Sequence, residues 1–233
     1  MSPAHAAVVA LLLLLAAAGK AAQVPFCEWL PRAMEGPTPS SAIFYGAISI
    51  HAGAYLLLRA LPFIEHSTLA SSLVFATGLV TAVHGTIVGR ASADAKTSLA
   101  YSSLTQVGIV FVEIGAGWST VAVLHIIGHA TVRTLQFLRA PSMLHDFHQM
   151  ESASGGELSA TGKHLEDMMP RGVQLWLYRW AIDRGQLDTI LERGVVRPLV
   201  RVSELLTKAD RYWRAEEPQR DKDVAVVATA GRA

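Results

Sequence analysis

Long apolar stretches follow one another through the first 140 residues and constrain this chain more than any other feature. Five of them approach the length of a membrane crossing, beginning near Ala4 and continuing at 40–58, 69–88, 98–115 and 120–138. A bilayer core about 30 Å thick needs about 20 apolar residues per helix, and lipid offers no partners for backbone polar groups. The sequence therefore predicts an all-α, polytopic transmembrane helix bundle of about five spans, surrounded by the lipid bilayer.

Composition divides the chain into regions. Hydrophobic residues make up 51% of the 233 and charged residues only 17%, and the charges are concentrated after Arg139. We predict a transmembrane domain at 1–140, an amphipathic helical tail at 141–215 and a disordered end at 216–233. The tail segments "GVQLWLYRWAIDRG" and "LDTILERGVVRPLVRVSELLTKADRYW" place apolar residues at helical spacing among arginines, which is typical of helices on a membrane surface or a partner.

Connector charges predict the orientation. Threading five spans puts Arg32, Arg90, Lys96, Arg139 and the basic tail on one side and leaves Arg59 alone on the other. The positive-inside rule makes the crowded side cytoplasmic. We expect a multi-pass protein of the bacterial inner membrane with a cytoplasmic tail. The first stretch could instead be a signal peptide, but "MSPAH" lacks the positive residues that such a segment begins with.

The first span is too long to be one regular helix. A helix over residues 4–34 would extend about 46 Å, well beyond the hydrocarbon core, and Gly19, Pro25 and Pro31 offer places to break it. A break near 20–25 would leave Lys20 facing a polar interior. Alternatively, the span ends near Val24 and Lys20 extends to the membrane surface. The spacing alone leaves both possibilities open. A resemblance of residues 19–59 to a known family favours a broken first span.

A polar stripe runs along the last span. His125, His129 and Arg133 follow at steps of four residues and therefore share one helix face. Charged groups are costly in lipid, so this face should line the bundle interior or a water-filled path. Imidazoles titrate near neutral pH and can pass protons, whereas a guanidinium keeps its charge, which makes Arg133 a candidate electrostatic gate. The competing interpretation is a packing stripe whose histidines only hydrogen-bond neighbouring helices.

Three further intramembrane polar residues are candidates. His51 lies within the second span, His84 near the end of the third and Glu113 near the end of the fourth. We rank His51 first because depth raises the cost of an idle polar group, with Glu113 and then His84 below it.

No motif for catalysis or cofactor binding is recognisable. His125 and His129 have H-x-x-x-H spacing, but the H-E-x-x-H motif is absent, and a single cysteine, Cys27, excludes a cysteine-rich metal site. We expect no metal, no cofactor, no nucleic-acid partner and no enzymatic activity of this chain itself.

Three segments resemble a known family. "GKAAQVPFCEWLPRAMEGPTPSSAIFYGAISIHAGAYLLLR", "DAKTSLAYSSLTQVGIVFVEIG" and "LHIIGHATVRTLQFL" look like the broken helix and the following helices of the antiporter-like, proton-translocating subunits of respiratory complex I and related cation antiporters. The resemblance covers roughly residues 5–140. It implies that Lys20 of the broken helix belongs to a proton path together with His125 and His129. His51 joins them by its depth.

This sequence departs from the family pattern at several positions. Arg133 stands where lysine is usual in complex I subunits, and Tyr45 stands where a histidine is common. The glutamate that normally pairs with the broken-helix lysine would lie upstream of Met1. The chain is therefore expected to be a carboxy-terminal fragment.

The end of the chain suggests a subfamily. "HATVRTLQFLRAPSMLHDFHQ" is similar to the membrane subunit of the energy-coupled inorganic carbon accumulation complex, which implies uptake of bicarbonate or CO2 and a large cytoplasmic, carbonic-anhydrase-like zinc partner. "GQLDTILERGVVRPLVRVSELL" resembles the end of complex I subunit L, which implies proton pumping by NADH-quinone oxidoreductase and other complex I membrane subunits as partners. A passive membrane anchor for a cytoplasmic partner is the third possibility.

Overall fold

The described chain is built from helices. The computed structural model describes residues 3–92, 94–154 and 168–214, and every regular element in these ranges is helical. The α-helices, in chain order, are α1 (Pro3–Lys20), α2 (Trp29–Arg32), α3 (Thr38–Ser41), α4 (Ala52–Arg59), α5 (Leu61–Ile64), α6 (Thr68–Ala91), α7 (Ala95–Gly115), α8 (Ser119–Ser154), α9 (Arg171–Ile182), α10 (Leu187–Leu191) and α11 (Arg197–Arg214). Shorter 3-10 or π-helical segments lie at Ala33–Glu35, Ala42–Ile48, Ser49–His51, Arg184–Gln186 and Glu192–Val196.

Four helical stretches are long and apolar enough to cross a membrane. They are Thr38–Arg59, Thr68–Ala91, Ala95–Gly115 and Ser119–Ala140. These agree with four of the five predicted spans and confirm the polytopic helical bundle. The first predicted span differs, because its apolar helix ends at Lys20 and is shorter than the other four.

The chain breaks immediately after α1. Residues 21–28 are not helical, and Ala22 has a positive φ of 53°. Backbone groups freed by the break find partners within the protein: the indole N–H of Trp29 donates to the carbonyl of Gly19 at 3.2 Å, and the N–H of Val24 donates to the hydroxyl of Thr81 at 3.0 Å. The predicted break is therefore present, and protein groups satisfy these two backbone groups, as membrane depth requires.

Small residues bring α6 and α7 close together. A Cβ added at Gly78 would meet the carbonyl oxygen of Gly108, and one at Gly108 would lie 2.7 Å from the carbonyl oxygen of Gly78. Glycine at both positions lets the two backbones touch, as is common between helices in membranes. Both helices begin with a side-chain N-cap. The hydroxyl of Ser67 accepts a hydrogen bond from the N–H of Ala70 at the start of α6, and the carboxylate of Asp94 accepts one from the N–H of Thr97 at the start of α7.

The chain forms two compact units, Met1–Leu187 and Asp188–Ala233. In the first unit α8 continues beyond residue 140, where we predicted the transmembrane domain to end, and α9 packs against α6. In the second unit α11 exposes Leu199, Val202 and Leu206 along a strongly amphipathic helix. Residues 216–233, predicted to be disordered, lie outside the described residues.

Candidate functional site

Two polar stripes face each other inside the bundle. One is the predicted stripe of α8 and the other lies on α7; their members are Ser102, Gln106, Glu113, His125, His129 and Arg133. The helices are antiparallel, so the start of α7 meets the later part of α8. Nη2 of Arg133 donates to the hydroxyl of Ser102 at 2.8 Å, and His125 contacts Glu113 and Gln106 at 2.9 and 3.0 Å.

His51 joins the stripe from the second span. Its Nε2 lies 2.8 Å from Nδ1 of His129, and its Nδ1 lies 3.0 Å from the carbonyl oxygen of Ala47. Both imidazoles are buried, with 5% and 8% of the residue surface exposed. The sequence ranked His51 as the first of the additional polar residues, and the structure brings it into direct contact with the predicted stripe.

The partners at the two ends fix the direction of these hydrogen bonds. The carbonyl of Ala47 can only accept, so Nδ1 of His51 donates to it. Nε of Arg133 can only donate, and it points at Nε2 of His129 at 3.4 Å. His129 therefore donates from Nδ1 to Nε2 of His51, each ring carries one proton, and all donors point from Arg133 towards Ala47.

His125 has different surroundings from His129. Its Nδ1 faces a carboxylate oxygen of Glu113 and its Nε2 faces the amide oxygen of Gln106. Both neighbours present acceptors, so an imidazole with a proton on each nitrogen fits this position. The His125 and His129 rings are 6.4 Å apart between centroids and nearly perpendicular. A proton on His125 is therefore close to the His129–His51 pair without being bonded to it.

Irregular backbone positions His51. The π-helical segment Ala42–Ile48 passes into the 3-10 segment Ser49–His51 before α4 begins. Gly46 lies against Thr134 of α8, where an added Cβ would be 3.2 Å from the backbone nitrogen. Short π-helical segments in membrane helices often occur at functional sites, and here the segment supplies the carbonyl of Ala47 to the histidine one turn later.

Comparison with known proteins identifies the family. The family model described as "NADH:quinone oxidoreductase/Mrp antiporter, TM" matches residues 2–170. The chain belongs to this family. The predicted resemblance to antiporter-like, proton-translocating subunits is thus confirmed.

Two curated family members and one solved structure indicate which proteins are similar. NADH-ubiquinone oxidoreductase chain 5 of Neurospora crassa is 40% identical over 140 residues, which cover 60% of this chain and 20% of that protein. NADH-quinone oxidoreductase subunit L of Rhodobacter capsulatus is 41% identical over 140 residues, with the same coverage of 60% and 20%. The Mrp complex from Dietzia sp. DQ12-45-1b contains a chain with a TM-score of 0.58 and 34% identity, covering 68% of this chain and 17% of that chain. The chain spans about a fifth of the length of these curated relatives.

Not every candidate residue predicted from the sequence lies at the facing stripes of α7 and α8. Lys20 is the last residue of α1, and its side chain is exposed on the surface of the described residues. His84 is buried elsewhere, with its Nε2 3.5 Å from the Sγ of Cys27. The structure thus brings together His51, His125, His129, Arg133 and Glu113 and leaves Lys20 and His84 apart from them.

Sequence reasoning missed Ser102 and Gln106. A signal was available, because residues 102, 106 and 113 fall within about 40° of one another on an ideal helix of 3.6 residues per turn. With Glu113 they form a polar stripe on the fourth predicted span that matches the one on the fifth. Two polar stripes on consecutive apolar helices indicate that the helices face each other.

Proposed function

We propose that this chain carries part of the proton path of an antiporter-like membrane subunit of the complex I subunit L type. The observation that carries the proposal is the 2.8 Å contact between His51 and His129, which joins two membrane-spanning stretches. Two imidazoles that are hydrogen-bonded to each other can exchange a proton without large movement. Burial in a helix bundle keeps bulk water away from them. In this role the chain moves protons and catalyses no bond chemistry of its own.

His125 and Glu113 form the neighbouring part of this path. Oε1 of Glu113 contacts His125 at 2.9 Å, and its buried Oε2 has no hydrogen-bond partner among the described residues. The two acceptors around His125 suit it to hold an incoming proton. Arg133, at one end of the directed hydrogen bonds, supplies a fixed positive charge that opposes a second charge on His129.

Membership of the complex I type is supported by the subunit L and chain 5 relatives. The partners are then other membrane subunits of such a complex, and the tail is on the cytoplasmic side as the connector charges predict. Service in an inorganic carbon accumulation complex, with a carbonic-anhydrase-like zinc partner, stays a prediction that rests on the sequence resemblance around 129–149 alone. A passive anchor, in which the same hydrogen bonds only hold the helices together, is the alternative that the substitutions below test.

Substitution of the two bonded histidines in the intact host complex tests the proposal. His51→Ala and His129→Ala should each abolish substrate-driven acidification of inverted membrane vesicles, followed with a pH-sensitive dye, while native gels show an assembled complex. His66→Ala is the matched control, because His66 is exposed and bonds only locally to the carbonyl of Pro62 among the described contacts. Full acidification in both buried variants would support the passive anchor instead.

The same vesicles separate the candidate complexes. NADH should drive acidification if the subunit serves a complex I type machine. Labelled bicarbonate uptake by intact cells that depends on His129, without an NADH response of the vesicles, would instead support the inorganic carbon complex.

A further inference from the structure

A second buried cluster lies at the helix break, away from the histidine pair. Cys27 and Glu28 come from the non-helical loop after α1, and His84 comes from α6. All three are at most 5% exposed. Their side-chain ends converge: Sγ of Cys27 is 3.5 Å from Nε2 of His84 and 4.0 Å from Oε1 of Glu28, and Nε2 of His84 is 4.0 Å from the same oxygen.

These spacings resemble those around one tetrahedral zinc ion. Zinc binds cysteine sulfur at about 2.3 Å, histidine nitrogen at about 2.0–2.1 Å and carboxylate oxygen at about 2.0–2.2 Å. Tetrahedral angles then place sulfur and nitrogen about 3.5 Å apart and the oxygen at about 3.3–3.6 Å from each. The sulfur–nitrogen distance already agrees, and a movement of the carboxylate by about half an ångström would close the triangle. The hydroxyl of Tyr101 donates to Oε1 of Glu28 at 3.4 Å.

The groups around the cluster orient the carboxylate. Nη1 of Arg184 binds the other carboxylate oxygen, Oε2 of Glu28, at 3.2 Å, which leaves Oε1 directed at Cys27 and His84. Ring contact with Trp180, 5.1 Å between centroids at an interplanar angle of 82°, holds His84. Ligands whose second atoms are held by neighbouring groups are characteristic of metal sites.

We propose that Cys27, Glu28 and His84 form a binding site for a single zinc ion that joins the broken-helix loop to α6. Thiolate, imidazole and carboxylate are all zinc ligands, and the thiolate and carboxylate together neutralise its charge. Cysteine spacing could not reveal this site, because its third ligand is 57 residues from Cys27. The residues belong to no part of the proton path proposed above, so the two proposals stand or fall separately.

Cobalt(II) reports on this site directly, because Cys27 is the only cysteine of the chain. The full chain, purified in detergent under reducing conditions and treated with a chelator, is titrated with cobalt. We expect a thiolate-to-cobalt charge-transfer band that saturates at one equivalent, with visible bands of tetrahedral cobalt, and that zinc displaces. A wild-type chain without the charge-transfer band would overturn the proposal.

Variants of Glu28 and His84 distinguish a three-ligand metal site from cobalt binding by the Cys27 thiol alone. Glu28→Gln and His84→Gln should each weaken cobalt and zinc binding at least about tenfold, the lower end of what loss of an outer-shell partner alone costs. His66→Gln, in an exposed histidine, should bind as the wild type does. Equal affinity in the wild type and both ligand variants would show that the thiol acts alone and would refute the site.

A protection experiment covers the possibility that a ligand variant misfolds. Cys27 is fully buried, so an excess of a small maleimide reaches it only when the loop opens. Zinc should slow this alkylation at least about tenfold in wild type, because it occupies the thiolate and holds the loop closed. The His66→Gln chain should show the same protection. If Cys27 of the wild-type chain is alkylated at the same rate with and without saturating zinc, the proposal is wrong, whether or not the variants fold.

Discussion

Arg133 and Ser102 are joined across the bundle by a 2.8 Å hydrogen bond from Nη2 to the serine hydroxyl. The bond leaves Nε of the same guanidinium directed at His129. Arg133 is 6% exposed, so its charge is held in a fixed place beside the histidine pair. The arginine thus has both a structural contact and an electrostatic one.

Arg133→Gln should let protons leak without coupled transport. Glutamine is shorter, so its amide reaches about the position of Nε and can donate to His129 but not to Ser102. It also removes the positive charge, and a unit charge about 4 Å away contributes about 4 kcal/mol at an effective dielectric constant of 20. A rise in passive proton leak of at least about tenfold needs only about 1.4 kcal/mol of this. Leak is measured as decay of an imposed pH gradient across vesicles that contain the assembled complex.

Arg133→Lys is the matched control for that substitution. Lysine restores a cation at the same position, so its leak should remain near that of the wild type. A glutamine variant that fails to assemble would assign Arg133 to packing. If the Arg133→Gln variant assembles, couples transport and leaks protons no faster than the wild type, Arg133 is not an electrostatic gate.

Gly78→Ala should destabilise the bundle by about 1–3 kcal/mol, the usual cost of overpacking. The added methyl group meets the backbone of α7 at Gly108, and backbone cannot move aside as a flexible side chain can. Gly128→Ala on α8 is the control, because a Cβ there meets nothing within 4 Å and alanine favours helix by up to about 1 kcal/mol. Unfolding by a denaturing detergent compares the two, and equal stability would disprove the close approach of α6 and α7.

Trp29→Phe should destabilise the break after α1 by about 1 kcal/mol or more. Phenylalanine retains an aromatic ring but cannot donate to the carbonyl of Gly19, which the indole N–H reaches at 3.2 Å. Trp118→Phe is a suitable comparison, because Trp118 is 61% exposed and its loss should change stability little. The same detergent unfolding assay measures both, and a neutral Trp29→Phe would mean that water satisfies this carbonyl equally well.

Periodicity within one helix was enough to predict part of the candidate site. The stripe of His125, His129 and Arg133 follows from their spacing, because residues four apart share a face wherever the helix lies. The break after Lys20 follows from proline chemistry and from the length of a span. These features depend on local sequence alone.

Contacts between distant segments could not be predicted in the same way. The bond from His51 to His129 spans 78 residues and depends on how the irregular stretch 42–51 packs against α8. The convergence of Cys27 with His84 depends on where the loop after α1 folds back. The exposure of Lys20 likewise depends on how α1 packs and cannot be derived from its position in the sequence. Ranking His51, Glu113 and His84 by their depth in the membrane considers each residue by itself and cannot show which of them are in contact.

All hydrogen bonds from Arg133 to Ala47 point in one direction. Under the proposed function, these bonds must be reset after each proton transfer. When a proton enters at Nε2 of His129 and another leaves from its Nδ1 to His51, the ring of His129 ends with its hydrogen facing the N–H of Arg133. His51 then holds a proton on each nitrogen, and the carbonyl of Ala47 cannot take one away. Repeated use therefore needs an acceptor for the extra proton of His51 and a return of His129 to its starting tautomer, inside a packed bundle. The 2.8 Å bond is thus arranged for one transfer in one direction until that return takes place.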